Sequence, residues 1–160
     1  MTWKVDSAIS LERFSKTHYE EYRAWFEDET MKEYLGHVDQ EWLEYILNDQ
    51  SGREFTAIKN GKLVGVVGIT FPCEGNQNYV ITNLAVNPKM KRSGLGSQII
   101  NCLVNMVPLK ENEQWTSYVN VNNMIAHDFF EKLNWQLINI VDGMFEFRYS
   151  PFFSNQNKST

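Results

Sequence analysis

No stretch of about eighteen consecutive apolar residues occurs in the chain, so a membrane-spanning helix is not expected. The opening residues Met1-Thr2-Trp3-Lys4-Val5-Asp6 have neither the basic nor the apolar region of a signal peptide, and a cytoplasmic protein is the expectation. Cysteine is scarce. Cys73 and Cys102 stand far apart without metal-ligand spacing, so reduced thiols are expected, with neither a metal site nor a catalytic cysteine. Positive charge is not in excess: the net charge of −5 argues against a general nucleic-acid binder. No Gly-Lys-Ser/Thr phosphate loop is present, and the dinucleotide fingerprint lacks its third glycine, because Ile99 stands there. Internal repeats and low-complexity tracts are missing too.

What is there describes an ordinary globular domain. With 160 residues, 42% hydrophobic and 14% aromatic, the chain can bury a core of its own. One domain is expected over residues 1–150, with 151–160 a polar, frayed tail. The acidity is unevenly spread: residues 1–60 hold 13 Asp and Glu against 7 Lys and Arg, while 61–160 hold 7 against 8. Glu27, Asp28 and Glu29 lie in the densest part. Such a run is either a solvated helix face or a rim that attracts a cationic substrate.

The periodicity predicts a first strand at Ile9 to Phe14, then a helix opened by a capping box at Thr17-His18-Tyr19-Glu20 and carrying Tyr19, Tyr22, Trp25 and Phe26. A helical turn follows at Thr30 to Leu35, and Asp39 caps a helix bearing Trp42, Tyr45 and Ile46. Glu54 to Ile58 and Lys62 to Phe71 read as strands joined by an Asn60-Gly61 hairpin. Trp115 to Val121 is a further strand. Asn122-Asn123 opens a helix with Ile125, Phe129, Phe130 and Leu133 on its apolar side, and a second hairpin turns at Asp142-Gly143.

The stretch Asn78 to Met106 organises the rest. Val80, Ile81, Leu84, Ala85 and Val86 form a strand that ends at Pro88. Ser93-Gly94-Leu95-Gly96-Ser97 then opens an amphipathic helix carrying Ile99, Ile100, Leu103, Val104 and Val107. The first turn of a helix has backbone N–H groups without internal partners and a partial positive charge, and Gly94 and Gly96 would let a phosphate come close. Lys91 and Arg92 add charge beside it. An ordinary turn before a helix has the same look. Strand, helix, strand implies a parallel pair with a crossover, so the fold class is mixed α/β: helices on both faces of a central, largely antiparallel sheet with one parallel pair.

Two motifs carry a family resemblance. Val86-x-Pro88-x-x-Lys91-Arg92-Ser93-Gly94-Leu95-Gly96 resembles the acetyl-coenzyme A motif of the GCN5-related N-acetyltransferases (GNAT). Asn123-x-x-Ala126-x-x-Phe129-Phe130-Glu131-Lys132-Leu133-Asn134-Trp135 is similar to the family's second motif, in the same order and at a comparable separation. Trp25 and Tyr34-Leu35-Gly36 loosely resemble the branch that acetylates ribosomal proteins and aminoglycosides.

The resemblance implies that the strand bends and splays from the strand at Val119, leaving a V-shaped slot for the pantetheine arm of acetyl-CoA. Main-chain groups of Leu84, Ala85 and Val86 would line the arm, with the Leu84 N–H holding the acetyl carbonyl as an oxyanion donor. The pyrophosphate would sit on Lys91, Arg92, Ser93, Gly94, Leu95, Gly96 and Ser97. Asn123 would meet the pantetheine, and Phe129 and Phe130 would wall the cofactor side.

There are departures from the family pattern. Lys91 replaces the usual arginine or glutamine, keeping a donor but losing the guanidinium fork. Phe130 stands where relatives often have a proton-donating tyrosine, and Val80 where they have a glutamate base. Tyr118, Asn83, Glu29 and His127 are the remaining candidates for proton handling, although His127 reads more simply as solvent-facing. Two functions follow. One is an N-acetyltransferase passing the acetyl group of acetyl-CoA to the primary amine of a cationic small molecule or peptide by direct attack in a ternary complex. The other is a non-catalytic acyl-CoA-binding module that has lost the usual acid and base. A homodimer is compatible with either.

Overall fold

The structure, a computed structural model, describes residues 8–151. The amino-terminal segment and all but the first residue of the expected tail lie outside that range. In chain order the elements are β1 (Ser10–Arg13), α1 (Tyr19–Ala24), α2 (Glu29–Tyr34), α3 (Gln40–Asn48), β2 (Gly52–Lys59), β3 (Lys62–Thr70), β4 (Tyr79–Val86), α4 (Leu95–Met106), β5 (Trp115–Asn120), α5 (Met124–Lys132), β6 (Gln136–Val141) and β7 (Met144–Tyr149). The strands hydrogen-bond in the order β1-β2-β3-β4-β5-β7-β6. The class is mixed α/β, with a mostly antiparallel sheet in which β4 and β5 are the parallel pair. Parallel neighbours need a long connection, and α4 supplies it. No helix among the described residues is long and apolar enough to cross a membrane.

The chain folds as two compact units, and β3 and β4 carry it from one to the other. The first unit comprises residues up to Gly68 together with Asn83–Pro108. Its core is aromatic and aliphatic: Phe14, Tyr22, Trp25, Met31, Leu43, Leu63, Val66 and Ala85 are all buried in one cluster. Phe14, Met31, Leu43, Leu63 and Val66 each contribute about 1.5–3 kcal/mol by leaving water. Tyr22 sits at the centre, with ring centroids of Phe14, Trp25, Phe26 and Trp42 at 5.3–5.8 Å.

Among α1, α2 and α3 of this unit, helix starts follow their caps, with one exception. Asp39 Oδ1 accepts from the Trp42 N–H at 2.8 Å, and Asp28 Oδ1 accepts from Thr30 and Met31 at the head of α2. The exception is α1, where no capping box forms. The chain makes a 3-10 turn at Lys16–His18, so His18 becomes the cap residue and no side chain bonds the first turn. The β2–β3 hairpin turns where Asn60-Gly61 predicts it, with φ of 54° and 75°, as a two-residue turn matched to strand twist requires.

The second unit comprises Ile69–Thr82 and the chain from Leu109 onward. In it β4 pairs with β5 through Tyr79↔Trp115, Val80↔Thr116 and Ile81↔Ser117, and β5 pairs along its whole length with β7. Aromatic stacking holds it together: Phe130 lies 5.0 Å from Trp135 and 5.6 Å from Phe147 between ring centroids, and Trp135 stacks on Tyr149 at 5.5 Å. Two expectations fail on α5. Ile125 is 82% exposed because it lies on the outer side of the helix, away from Phe130. His127 is not solvent-facing, since its ring packs on Phe145 and Phe147 at 4.8 and 5.5 Å and its side chain is only 16% exposed. Strand β6 ends the sheet, and all six of its residues are exposed.

Candidate active site

The distinctive backbone of the first unit runs from the end of β4 into α4. Asn87 closes the strand by donating its N–H to the Val64 carbonyl at 2.9 Å, and its Oδ1 accepts from the Lys89 N–H at 3.1 Å. Pro88–Met90 makes a single 3-10 turn, and the Ser93 hydroxyl donates to the Met90 carbonyl. Arg92 and Gly94 then take left-handed conformations, with φ of 64° and 77°. Glycine suits the second position because side-chain residues rarely adopt it. The space around Gly94 is otherwise open, as a Cβ placed there meets no atom within 4 Å.

Helix α4 begins immediately after. Its first internal bond is from Gln98 N–H to the Gly94 carbonyl at 3.2 Å, and no side chain caps it. The N–H groups of Leu95, Gly96 and Ser97 therefore point ahead of the helix without an intrahelical acceptor, at its positive end. Lys91 and Arg92 are exposed beside this turn. The Lys91 ammonium is held by Asp28, at 3.2 Å from Oδ2 and 3.3 Å from Oδ1. That contact, first of all, draws the Asp28 carboxyl below its ordinary range. One member of the acidic run is thus tied to the loop, whereas Glu27 is exposed and Glu29 pairs loosely with Lys32 at 3.7 Å.

Leu84, Ala85 and Val86 lie on β4 past the last residue paired with β5, and Ala85 is buried in the core of the first unit. Asn83 precedes them. Its side chain hydrogen-bonds Glu54 of β2 and Tyr22 of α1. A Cβ on Gly68 of β3 would run into both Glu54 Oε1 and Asn83 Oδ1, so these two side chains occupy the room that a glycine leaves over the middle strand. Burial pushes Glu54 up to about 7, the Asn83 hydrogen bond opposes this, and the Asp49 charge adds to it. Burial, then the Glu54 charge, likewise raises the Tyr22 phenol. Glu54 Oε2 is buried without a hydrogen-bond partner.

Glu54 is the residue that sequence reasoning passed over. The signal was a lone carboxylate inside the run Glu54-Phe55-Thr56-Ala57-Ile58, which a strand alone does not explain.

In the second unit the candidate side chains are engaged locally. The Tyr118 hydroxyl donates to Glu146 Oε1 at 3.0 Å, and burial followed by that bond raises its phenol pKa. Asn123 Oδ1 accepts from the Ala126 N–H at 3.2 Å and so caps α5. Phe129 is half-buried with its ring 5.2 Å from that of Phe130, which is itself buried in the aromatic stack. His127 Nδ1 lies 3.0 Å from Asp128 and 3.6 Å from Glu131, both on its own helix.

Known proteins bear on this arrangement. No curated protein sequence matches the chain. Among solved structures, an acetyltransferase from Thermus thermophilus has a TM-score of 0.76 at 12% identity, over 90% of this chain and 97% of that one. A structure of AAC(6')-Ib in complex with paromomycin and acetyl-CoA has a TM-score of 0.77 at 16% identity, over 95% and 98%. A chimera of the spermidine N-acetyltransferase SpeG from Vibrio cholerae has a TM-score of 0.68 at 14% identity, over 89% and 93%. At these identities the likeness is one of fold. The sequence profile of the acetyltransferase (GNAT) family matches residues 12–135, and the chain belongs to that family.

Proposed function

We propose that the protein transfers the acetyl group of acetyl-CoA to the primary amine of a cationic small molecule or peptide, by direct attack within a ternary complex. The observation that carries this reading is the uncapped start of α4, with three N–H groups free behind left-handed Arg92 and Gly94, in a chain of this family. Leu95, Gly96 and Ser97 would hold the pyrophosphate by their N–H groups, with Lys91 and Arg92 supplying charge. The Leu84 N–H would polarise the acetyl carbonyl and stabilise the oxyanion as the amine attacks. Amine acceptors are supported by fold relatives whose structures contain kanamycin or ribostamycin, and by the spermidine enzyme. The acidic run around Glu27 and Glu29 is the feature of this chain that favours a cationic acceptor.

A second reading rests on Phe130. It places a ring without a proton donor at the position where relatives often have tyrosine, and that ring is packed into the core. A non-catalytic acyl-CoA-binding module would look the same there.

One experiment separates the readings. Acetyl-CoA is titrated by calorimetry, and thiol release is then followed in the same sample on adding spermidine, kanamycin, ribostamycin or a peptide with a free amino terminus. Micromolar binding with amine-dependent release is the expected result. Binding without release across the panel favours the module, and no binding removes both readings.

A further inference from the structure

We propose that Glu54 is the proton acceptor for the acceptor ammonium, held in position by Asn83 where the two side chains fill the room over Gly68. This deepens the acetyltransferase reading and rests on it.

Glu54 is a carboxylate without a balancing cation among the described residues. Glu54, Gly68 and Asn83 lie on the consecutive strands β2, β3 and β4, and the two side chains converge over a glycine that cannot be enlarged without striking both. Burying a carboxylate without a cation is costly, and a buried acceptor oxygen without a donor adds to that cost. Glu54 is half-buried as a residue, and its Oε2 is fully enclosed. Oε2 has no donor, and the groups that act on Glu54 are the amide of Asn83 and the like charge of Asp49 ahead of β2, while Glu54 itself raises the Tyr22 phenol on α1. From β1, Arg13 turns instead to the Leu47 carbonyl at 3.3 Å. Among the described residues no cation pairs with Glu54. A primary ammonium would supply the missing charge and the missing donor together.

Position supports the same role. Asn83 is the residue immediately before Leu84, whose N–H is assigned to the acetyl carbonyl, and consecutive Cα atoms are about 3.8 Å apart. The carboxylate that Asn83 holds is therefore close to the strand on which the thioester would lie. The family's usual glutamate position on β4 is Val80 in this chain, and Glu54 provides a carboxylate from a neighbouring strand instead. Burial keeps it near 7, where it can accept a proton at neutral pH and release it again.

The steps balance. The ammonium gives a proton to the Glu54 carboxylate, leaving a neutral amine and a carboxylic acid. The amine lone pair forms the C–N bond to the acetyl carbon, and the C–S bond breaks with its electrons going to sulfur. The extra proton on the new amide nitrogen passes to the thiolate, giving the amide and free thiol, and Glu54 returns its proton to water.

The test is a pH–rate profile of Glu54→Gln, beside acetyl-CoA titration of the same variant. Acetyl-CoA affinity should be unchanged, while kcat/KM for the amine falls about 10²–10⁴-fold. The inflection near neutral pH should vanish, so that the rate climbs toward the amine's own pKa. Glu54→Asp should keep the inflection at reduced kcat. A merely structural role would lower the rate equally at every pH, and an inflection that persists in Glu54→Gln overturns the inference while leaving the acetyltransferase reading intact. Absence of thiol release by the unsubstituted protein removes both. If the variants do not fold, infrared titration of the Glu54 carboxyl in the unsubstituted protein serves. Its midpoint should fall on adding propylammonium with coenzyme A bound, and a fixed midpoint overturns the assignment.

Discussion

Helices α4 and α5 both follow a strand of the sheet, but they begin in opposite ways. Asn123 turns its side chain back onto the first turn of α5 and satisfies the Ala126 N–H, as Asp28 and Asp39 do for α2 and α3. Gly94 has no side chain to turn back, and the first turn of α4 stays open. A Ser, Thr, Asn or Asp cap is worth about a few tenths of a kcal/mol more than glycine at such a position. The chain forgoes that at α1 as well, but at α4 the open turn lies beside Lys91 and Arg92 and in the family's coenzyme A motif. At α4 the open start leaves three N–H groups without an intrahelical acceptor, the feature on which the proposed anion site rests.

The largest effect is expected at Phe130, because α5 is held by its apolar face: Phe130→Ala should cost about 3–5 kcal/mol in chemical denaturation. A small loss with collapsed acetyl-CoA affinity would mean that Phe130 serves the site and not the core. Glu54 comes next, as the open group within the sheet. Its carboxyl ionises near 7 when folded and in the ordinary carboxylate range when unfolded. The folded state thus binds the proton more tightly, and stability present below about pH 4.5 is lost as pH rises through 7. That loss amounts to roughly 3 kcal/mol. Denaturation at pH 5 and pH 8 should show it, and Glu54→Gln should flatten the dependence.

A smaller effect is expected at Gly94. Valine at a left-handed position costs about 1–2 kcal/mol, so acetyl-CoA binding should weaken about tenfold or more as the turn leaves that geometry. Asn123→Ala should do the reverse, lowering stability by about 1 kcal/mol with little change in binding. Equal losses of affinity in the two variants would erase the distinction and make Asn123 a ligand of the cofactor.

Features that act over a few residues were legible in the sequence. Asn60-Gly61 and Asp142-Gly143 place both hairpins, Asp39 places a helix start, and Gly94 before α4 marks its open turn, because each works through its own backbone. Thr17 misled because a 3-10 turn intervened before α1. Ile125 and His127 exchanged the expected sides of α5, since which face is buried is decided by Phe145 and Phe147 on a strand much later in the chain. Glu54 was hidden for a related reason. Its significance depends on the missing side chain at Gly68 and on Asn83, and no local pattern ties those three positions together.

Strand β6 has a consequence for self-association. A fully exposed edge of Gln136-Leu137-Ile138-Asn139-Ile140-Val141, with no charged residue, would ordinarily template another strand. Its register slips, however: Leu137 pairs with Phe147 and Asn139 with Glu146, so Ile138 is an extra residue in the ladder. The free edge is thereby divided into segments of two and three residues, each too short to seed a continuous ladder, and geometry guards the end of the sheet where charge does not.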